Sequence, residues 1–229
     1  MKAGNDNDNI IEIDSKFSLG AHVEKWSIAQ IKKEPMFWQS SLDFVLQHKA
    51  PIHKNFIENL KFSASKYGVI PEDIIIDSRI HMFVGKNIYP AIPGWHHDDV
   101  PRGLNGQPDY LAMPYKANHA LALYGDPVCQ TEFATGSLQL QIPDSGVVYE
   151  QWHPQIERLV RGGYLKSHIC DMHRIYLFDA FTWHQAVPST GPGWRFFIRA
   201  SWGFDGHRKP MNEIRNNAQV YMPYPNQGW

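Results

Sequence analysis

A chain of 229 residues with 43% hydrophobic and 13% aromatic content can bury one sizeable core. Its net charge of -1 and pI near 6.9 provide no global basic field for nucleic acid or an anionic membrane, which favours a small-molecule partner. No run approaches the ~18 apolar residues of a membrane span, and the opening MKAGNDNDNIIEID lacks the apolar stretch of an export signal, so a cytoplasmic protein is expected. Cys129 and Cys170 form no CxxC pair and read as reduced structural residues.

In chain order, residues 1–15 are rich in Asn and Asp and read as a flexible tail. Residues 22–67 read as supporting helices: Ile52, Phe56, Leu60 and Ala64 recur at i+4, Tyr67 closes the stripe and Gly68 is placed to end it. From Ile74 the pattern changes to short β-type runs, IIIDSRIHMFV, HALALYG, SLQLQI, RIYLFDA and WRFFIRASW, separated by turns such as PAIPG and PSTGPG. A short helical insert is expected around residues 154–161. No repeat or long linker divides the chain, so residues 1–229 read as a single domain. Its class is mainly β with N-terminal helices (α+β), a sandwich or barrel over residues 74–202 braced by helices.

The stretch GWHHDDVPRG, residues 94–103, sets two histidines before two aspartates. In extended backbone, residues i and i+2 share a side, so His96 pairs with Asp98 and His97 with Asp99. Either pair offers two metal ligands. Alone the signal is weak, because a chain with 12 histidines holds about one such spacing by chance. The segment FDAFTWHQAVPSTGPGWRFFIRASW adds a distant His184 and, on the following strand, two arginines. By period 2, Arg195, Phe197, Arg199 and Ser201 share one face. Arginine on a buried strand is costly unless an anion meets it.

His-x-Asp, a distant His, and Arg195 eleven residues after His184 resemble the Fe(II)- and 2-oxoglutarate-dependent dioxygenase superfamily over residues 74–202. That family's fold is the double-stranded β-helix, a jelly-roll or cupin-like core. The resemblance implies Fe(II) held by His96, Asp98 and His184, this register matching the family's habit of placing an aromatic or small residue just before the first ligand and a polar or variable one between the two. It also implies 2-oxoglutarate and O2 as cosubstrates, release of succinate and CO2, and hydroxylation of a C–H bond. Two histidines and one carboxylate hold such an iron on one face and leave positions open. The fork of Arg195 suits the distal carboxylate of 2-oxoglutarate. Thr131 sits where the taurine dioxygenase-like branch places a hydroxyl on the cosubstrate. Arg199 either takes the cosubstrate role or binds an acidic group of the primary substrate, as the second arginine does in that branch. An aspartate ligand points to hydroxylation rather than halogenation.

Trp95 and Tyr124 are further candidates for lining the substrate pocket. His97 and Asp99 are expected to face solvent or to support the ligands from behind. His81, His119, His168 and His173 show no ligand spacing and read as structural or surface residues. The substrate expected is a small molecule, such as an amino acid or another carboxylate. Two rivals remain: a metal-dependent cupin enzyme that does not use 2-oxoglutarate, and a non-catalytic β-helix binding module.

Overall fold

Strand Gly193–Trp202 sorts its side chains by the pleat. Phe196, Ile198 and Ala200 are fully buried on one face, with Arg195, Phe197, Arg199 and Ser201 on the other. That strand lies inside the larger sheet of the computed structural model, which describes residues 9–65 and 73–215. In chain order the elements are β1 (Ile10–Ser15), β2 (Phe17–His22), α1 (Ile28–Ile31), β3 (Met36–Trp38), β4 (Ser40–Ser41), α2 (Leu42–Leu46), α3 (Pro51–Ser65), β5 (Ile75–Phe83), β6 (Asn118–Gly125) and β7 (Thr131–Gln141). There follow α4 (Val148–Arg161), β8 (Lys166–Ile169), β9 (Arg174–Asp179), β10 (Trp183–Ala186), β11 (Gly193–Trp202) and β12 (Glu213–Arg215).

The chain is mainly β, and its strand pairings are antiparallel. One sheet runs β2-β9-β6-β11-β5-β4; a second runs β1-β7-β10 with β8 also on β7; β12 pairs with β3. The two larger sheets close over an interior of Leu121, Leu123, Tyr176 and Phe178 from one and Phe133 from the other. Outside the larger sheet, Ile52, Phe56, Ile57 and Leu60 of α3 pack with Ile76, Ile80, Ala120, Ala122, Phe196 and Ile198. Each of those large side chains contributes about 1.5–3 kcal/mol by leaving water. Outside the smaller sheet, Tyr149, Trp152 and Ile156 of α4 pack with Ile13, Trp95, Leu140 and Trp183. In β7, Gly136 takes φ +139° where the strand passes from pairing β10 to pairing β1, and a Cβ there would lie 2.9 Å from Leu165 Cδ2.

Two expectations are corrected. Residues 10–15 are strand rather than tail: Ile13 and Ser15 are buried and β1 pairs with residues 136–141 of β7. The rest of the expected tail, residues 1–8, lies outside the described residues. The supporting segment is also not helical throughout. β3 and β4 lie between α1 and α2, and Ser27 and Ser41 start those two helices by accepting from backbone amides at their N-caps. The i+4 stripe is real but confined to α3, and Tyr67 and Gly68 lie outside the described residues. The expected insert is helical over a longer stretch than residues 154–161, as α4. Among the described residues no helix is long and apolar enough to cross a membrane.

Candidate metal centre

The chain reaches the site through a turn that only glycine enters easily. Gly94 has φ +103°, and a Cβ there would lie 3.2 Å from His153 Nδ1. Just after it, the Trp95 amide donates to His153 Nδ1 at 3.0 Å and the indole Nε1 donates to Glu157 Oε2 at 2.9 Å, which ties the segment to α4. His96 and His184 then form an antiparallel bridge, each amide donating to the other's carbonyl at 3.1 and 3.2 Å. Directly opposed residues point the same way, so the two rings meet at 4.6 Å between centroids. Alternation brings Asp98 to that side as well.

Hydrogen bonds fix what the rings present. His96 Nδ1 lies 2.8 Å from the Gly94 carbonyl and His184 Nδ1 lies 2.9 Å from the Thr182 carbonyl. A carbonyl only accepts, so each Nδ1 carries the proton and each Nε2 presents its lone pair. Those lone pairs face a carboxylate: His184 Nε2 is 3.2 Å from Asp98 Oδ2, and His96 Nε2 is 3.8 Å from Asp98 Oδ1. One ligand atom from each of the three residues lies within 4.8 Å of the others. Acceptors turned on one another repel unless a cation sits between them, so the donor set fits a metal ion. Burial, and then His184, lower His96 to about 4, which keeps it neutral. Burial opposes the charge on Asp98, yet the Arg199 guanidinium holds its carboxyl well below the usual range.

The neighbouring pair, His97 and Asp99, lies outside this three-residue cluster. His97 is 4% exposed rather than facing solvent. Its ring lies 3.8 Å from that of Trp183 between centroids, Nδ1 bonds Tyr110 Oη at 2.8 Å, and its carbonyl accepts from Tyr149 Oη at 3.0 Å. Asp99, at φ +55°, accepts from Arg208 at 2.6 Å and lies 3.9 Å from His119 Nδ1.

The two arginines of β11 have opposite circumstances. Arg199 donates to Asp98 and lies 3.5 Å from Asp77 and 3.9 Å from Asp99. Burial disfavours its charge, but Asp98, Asp99 and Asp77 more than offset that. An arginine so neutralised has little left to offer an acidic substrate; it steadies the carboxylate of Asp98. Arg195 is 3% exposed and, among the described residues, pairs with no carboxylate. Its Nη2 donates to Thr131 Oγ1 at 3.2 Å, its Nε has no partner, and Phe197 lies 5.3 Å away beneath it. A buried guanidinium with one neutral partner leaves several kcal/mol of desolvation uncompensated.

Trp95 and Tyr124 are corrected. Trp95 is buried in the cluster against α4, on the side of the segment away from the ligands, and Tyr124 lies on the helix-covered face beside Phe196 and His173. Both are core. Asp77 escaped the sequence reading, while His81 and His119, read there as structural or surface residues, are buried beside the site. His119 is fully buried, bonds Ser201 Oγ at 2.9 Å, and is lowered to about 3 by burial and then Arg199. Asp77 is the buried acid beside Arg199. His81 stands opposite Arg195 across the β5–β11 ladder, and burial followed by Arg195 lowers it to about 3, so it adds no charge there. The signal was present in IIIDSRIHMFV, where Asp77, Arg79 and His81 alternate through an apolar strand. His168 and His173 sit apart, the first 3.1 Å from Tyr176 Oη and the second contacting Tyr124. Comparison with known proteins finds no matching family model, no matching curated protein and no matching solved structure.

Proposed function

We propose that this chain is an Fe(II)- and 2-oxoglutarate-dependent oxygenase on a double-stranded β-helix, hydroxylating a C–H bond of a small molecule with release of succinate and CO2. The observation that carries the reading is Arg195: a buried cation without a counter-anion, joined to a hydroxyl at Thr131, in the same interior as three converging metal ligands. His96, Asp98 and His184 would hold the iron, and with 2-oxoglutarate and O2 bound the iron supplies the oxidant for the C–H bond. The remaining chemistry belongs to the chain. Arg195 and Thr131 receive the distal carboxylate and so orient the cosubstrate. The backbone carbonyls of Gly94 and Thr182 fix the tautomers of His96 and His184, and Arg199 holds Asp98 ionised. The interior faces of Leu121, Leu123, Phe133 and Phe178 keep water from the reacting atoms.

Anaerobic addition of Fe(II) and then 2-oxoglutarate tests the proposal. Bidentate chelation should produce a weak visible charge-transfer band that is lost in Arg195→Ala. Metal binding without the band would favour a cupin that does not use 2-oxoglutarate, and no metal binding would favour a binding module.

A further inference from the structure

The interior face of β5 presents Asp77, Arg79 and His81 in alternation, and Arg79 pairs across the ladder with Phe197, between Arg195 and Arg199 on the same face of β11. The charged groups around Arg79 are Arg199, Asp77, Arg215 and Asp98, so it belongs to the surroundings of the metal ligands. The cations there are not equal. Arg199 is met by Asp98, Asp77 and Asp99, and Arg208 by Asp99 and Asp77, whereas Arg79 pairs with no carboxylate among the described residues. Its side chain also reaches solvent, unlike that of Arg195. The guanidinium lies over the Trp38 ring, 5.0 Å from its centroid, with Arg215 also over that ring at 3.9 Å. That contact fixes the fork instead of leaving it to sweep through water.

Charge balance says what such a fork would meet. Asp77, Asp98 and Asp99 bring three negative charges against the three positive ones of Arg79, Arg199 and Arg208, and their contacts go to Arg199 and Arg208. With a divalent ion and Arg195 set against doubly charged 2-oxoglutarate, the whole group carries one positive charge in excess. Of these cations, Arg79 both lacks a carboxylate contact among the described residues and reaches solvent, so an added anion would meet it there.

We propose that Arg79, held by Trp38, is the recognition point for a carboxylate on the primary substrate, which is therefore a small organic acid. The inference rests on the oxygenase reading for its cosubstrate but uses a different residue and a different ligand. It reassigns the acid-reading role from Arg199, whose charge is already spent on three aspartates.

The test uses the full chain loaded with Zn(II) as a diamagnetic stand-in and saturated with 2-oxoglutarate, so that Arg195 is occupied. Phenylacetate, hexanoate and their primary amides are the probes, read by ligand-observed NMR. The acids should bind about tenfold or more tightly than the amides. Arg79→Gln should erase that preference, and Arg79→Lys should restore part of it. A merely structural Arg79 would lower the melting temperature of Arg79→Gln and leave the acid-to-amide ratio unchanged, which overturns the inference. Equal binding of acids and amides to the native chain, or binding of neither, overturns it as well. Titration of 2-oxoglutarate into the same zinc-loaded protein separates the two readings, since failure there removes the oxygenase assignment while an acid preference dependent on Arg79 still stands.

Discussion

Replacing Arg195 with Met should make the ligand-free protein more stable and less able to bind 2-oxoglutarate. The substitution removes a guanidinium that is 3% exposed, donates one hydrogen bond at 3.2 Å and has an Nε without a partner. Exchanging an uncompensated buried charge for an apolar side chain of similar reach stabilises by about 1–4 kcal/mol. Loss of the contact with Phe197 at 5.3 Å offsets about 0.5–1 kcal/mol of that gain. At roughly 2–4 °C per kcal/mol for a chain of this size, the melting temperature should rise by a few degrees and by no more than about 15 °C. The same change deletes a charge-assisted contact worth about 1.5–3 kcal/mol, which weakens 2-oxoglutarate by about 10- to 150-fold. Scanning calorimetry with and without 2-oxoglutarate, alongside a binding titration of the zinc-loaded protein, reads both effects. At the same concentration, added 2-oxoglutarate should raise the melting temperature of the native chain by more than that of the variant. A variant that is less stable than the native chain and binds 2-oxoglutarate equally well would refute the reasoning.

His96→Ala, Asp98→Ala and His184→Ala should each weaken metal binding by more than about 100-fold while circular dichroism stays native, since the three groups meet at a partly open site. His97→Ala should do the reverse, costing about 2–4 kcal/mol by emptying the space against Trp183 and breaking the Tyr110 contact, with the ligand set intact. His81 and His119 are both depressed to about 3 in the folded chain from an ordinary 6.5, so unfolding takes up a proton at each. Their contribution is complete above pH 6.5 and is lost as pH falls toward 3, at about 1.4 kcal/mol per pH unit for each histidine. Denaturant unfolding at several pH values should show this slope, and His119→Gln should flatten it; a stability independent of pH in that window would refute the assignment. Burial raises the thiol pKa of Cys129 and Cys170, so neither should react with a thiol reagent until guanidinium unfolds the chain, when both should.

The pleat made much of the site legible. Period 2 alone set Arg195 and Arg199 on one face of β11 and His96 with Asp98 on one side of their segment, as found. The same rule opposes Trp95 to His96, so its absence from the pocket was available from spacing. Tyr124 was not, because HALALYG is apolar on both faces and alternation gives no contrast between interior and helix side. What chose His96 over His97 is the backbone bridge to His184 across the fold, a tertiary fact with no local trace. The neutralisation of Arg199 was hidden for the same reason: Asp77 lies on β5, far upstream, and meets it only once β5 and β11 pair. In β1, the Asn- and Asp-rich composition outweighed the alternation of Ile11 and Ile13 with Glu12 and Asp14, a pattern that becomes decisive only when β7 is there to pair.

The most direct measurement is succinate release from labelled 2-oxoglutarate by the iron-loaded chain in air, with a panel of small organic acids offered as substrates. Succinate should form only with Fe(II), 2-oxoglutarate and O2 together, rise with an accepted acid, accompany a product that gains one oxygen atom, and vanish in His184→Ala and Arg195→Ala. Succinate no greater than that from free iron, or formed equally by His184→Ala, would contradict the assignment of this site as a 2-oxoglutarate oxygenase centre.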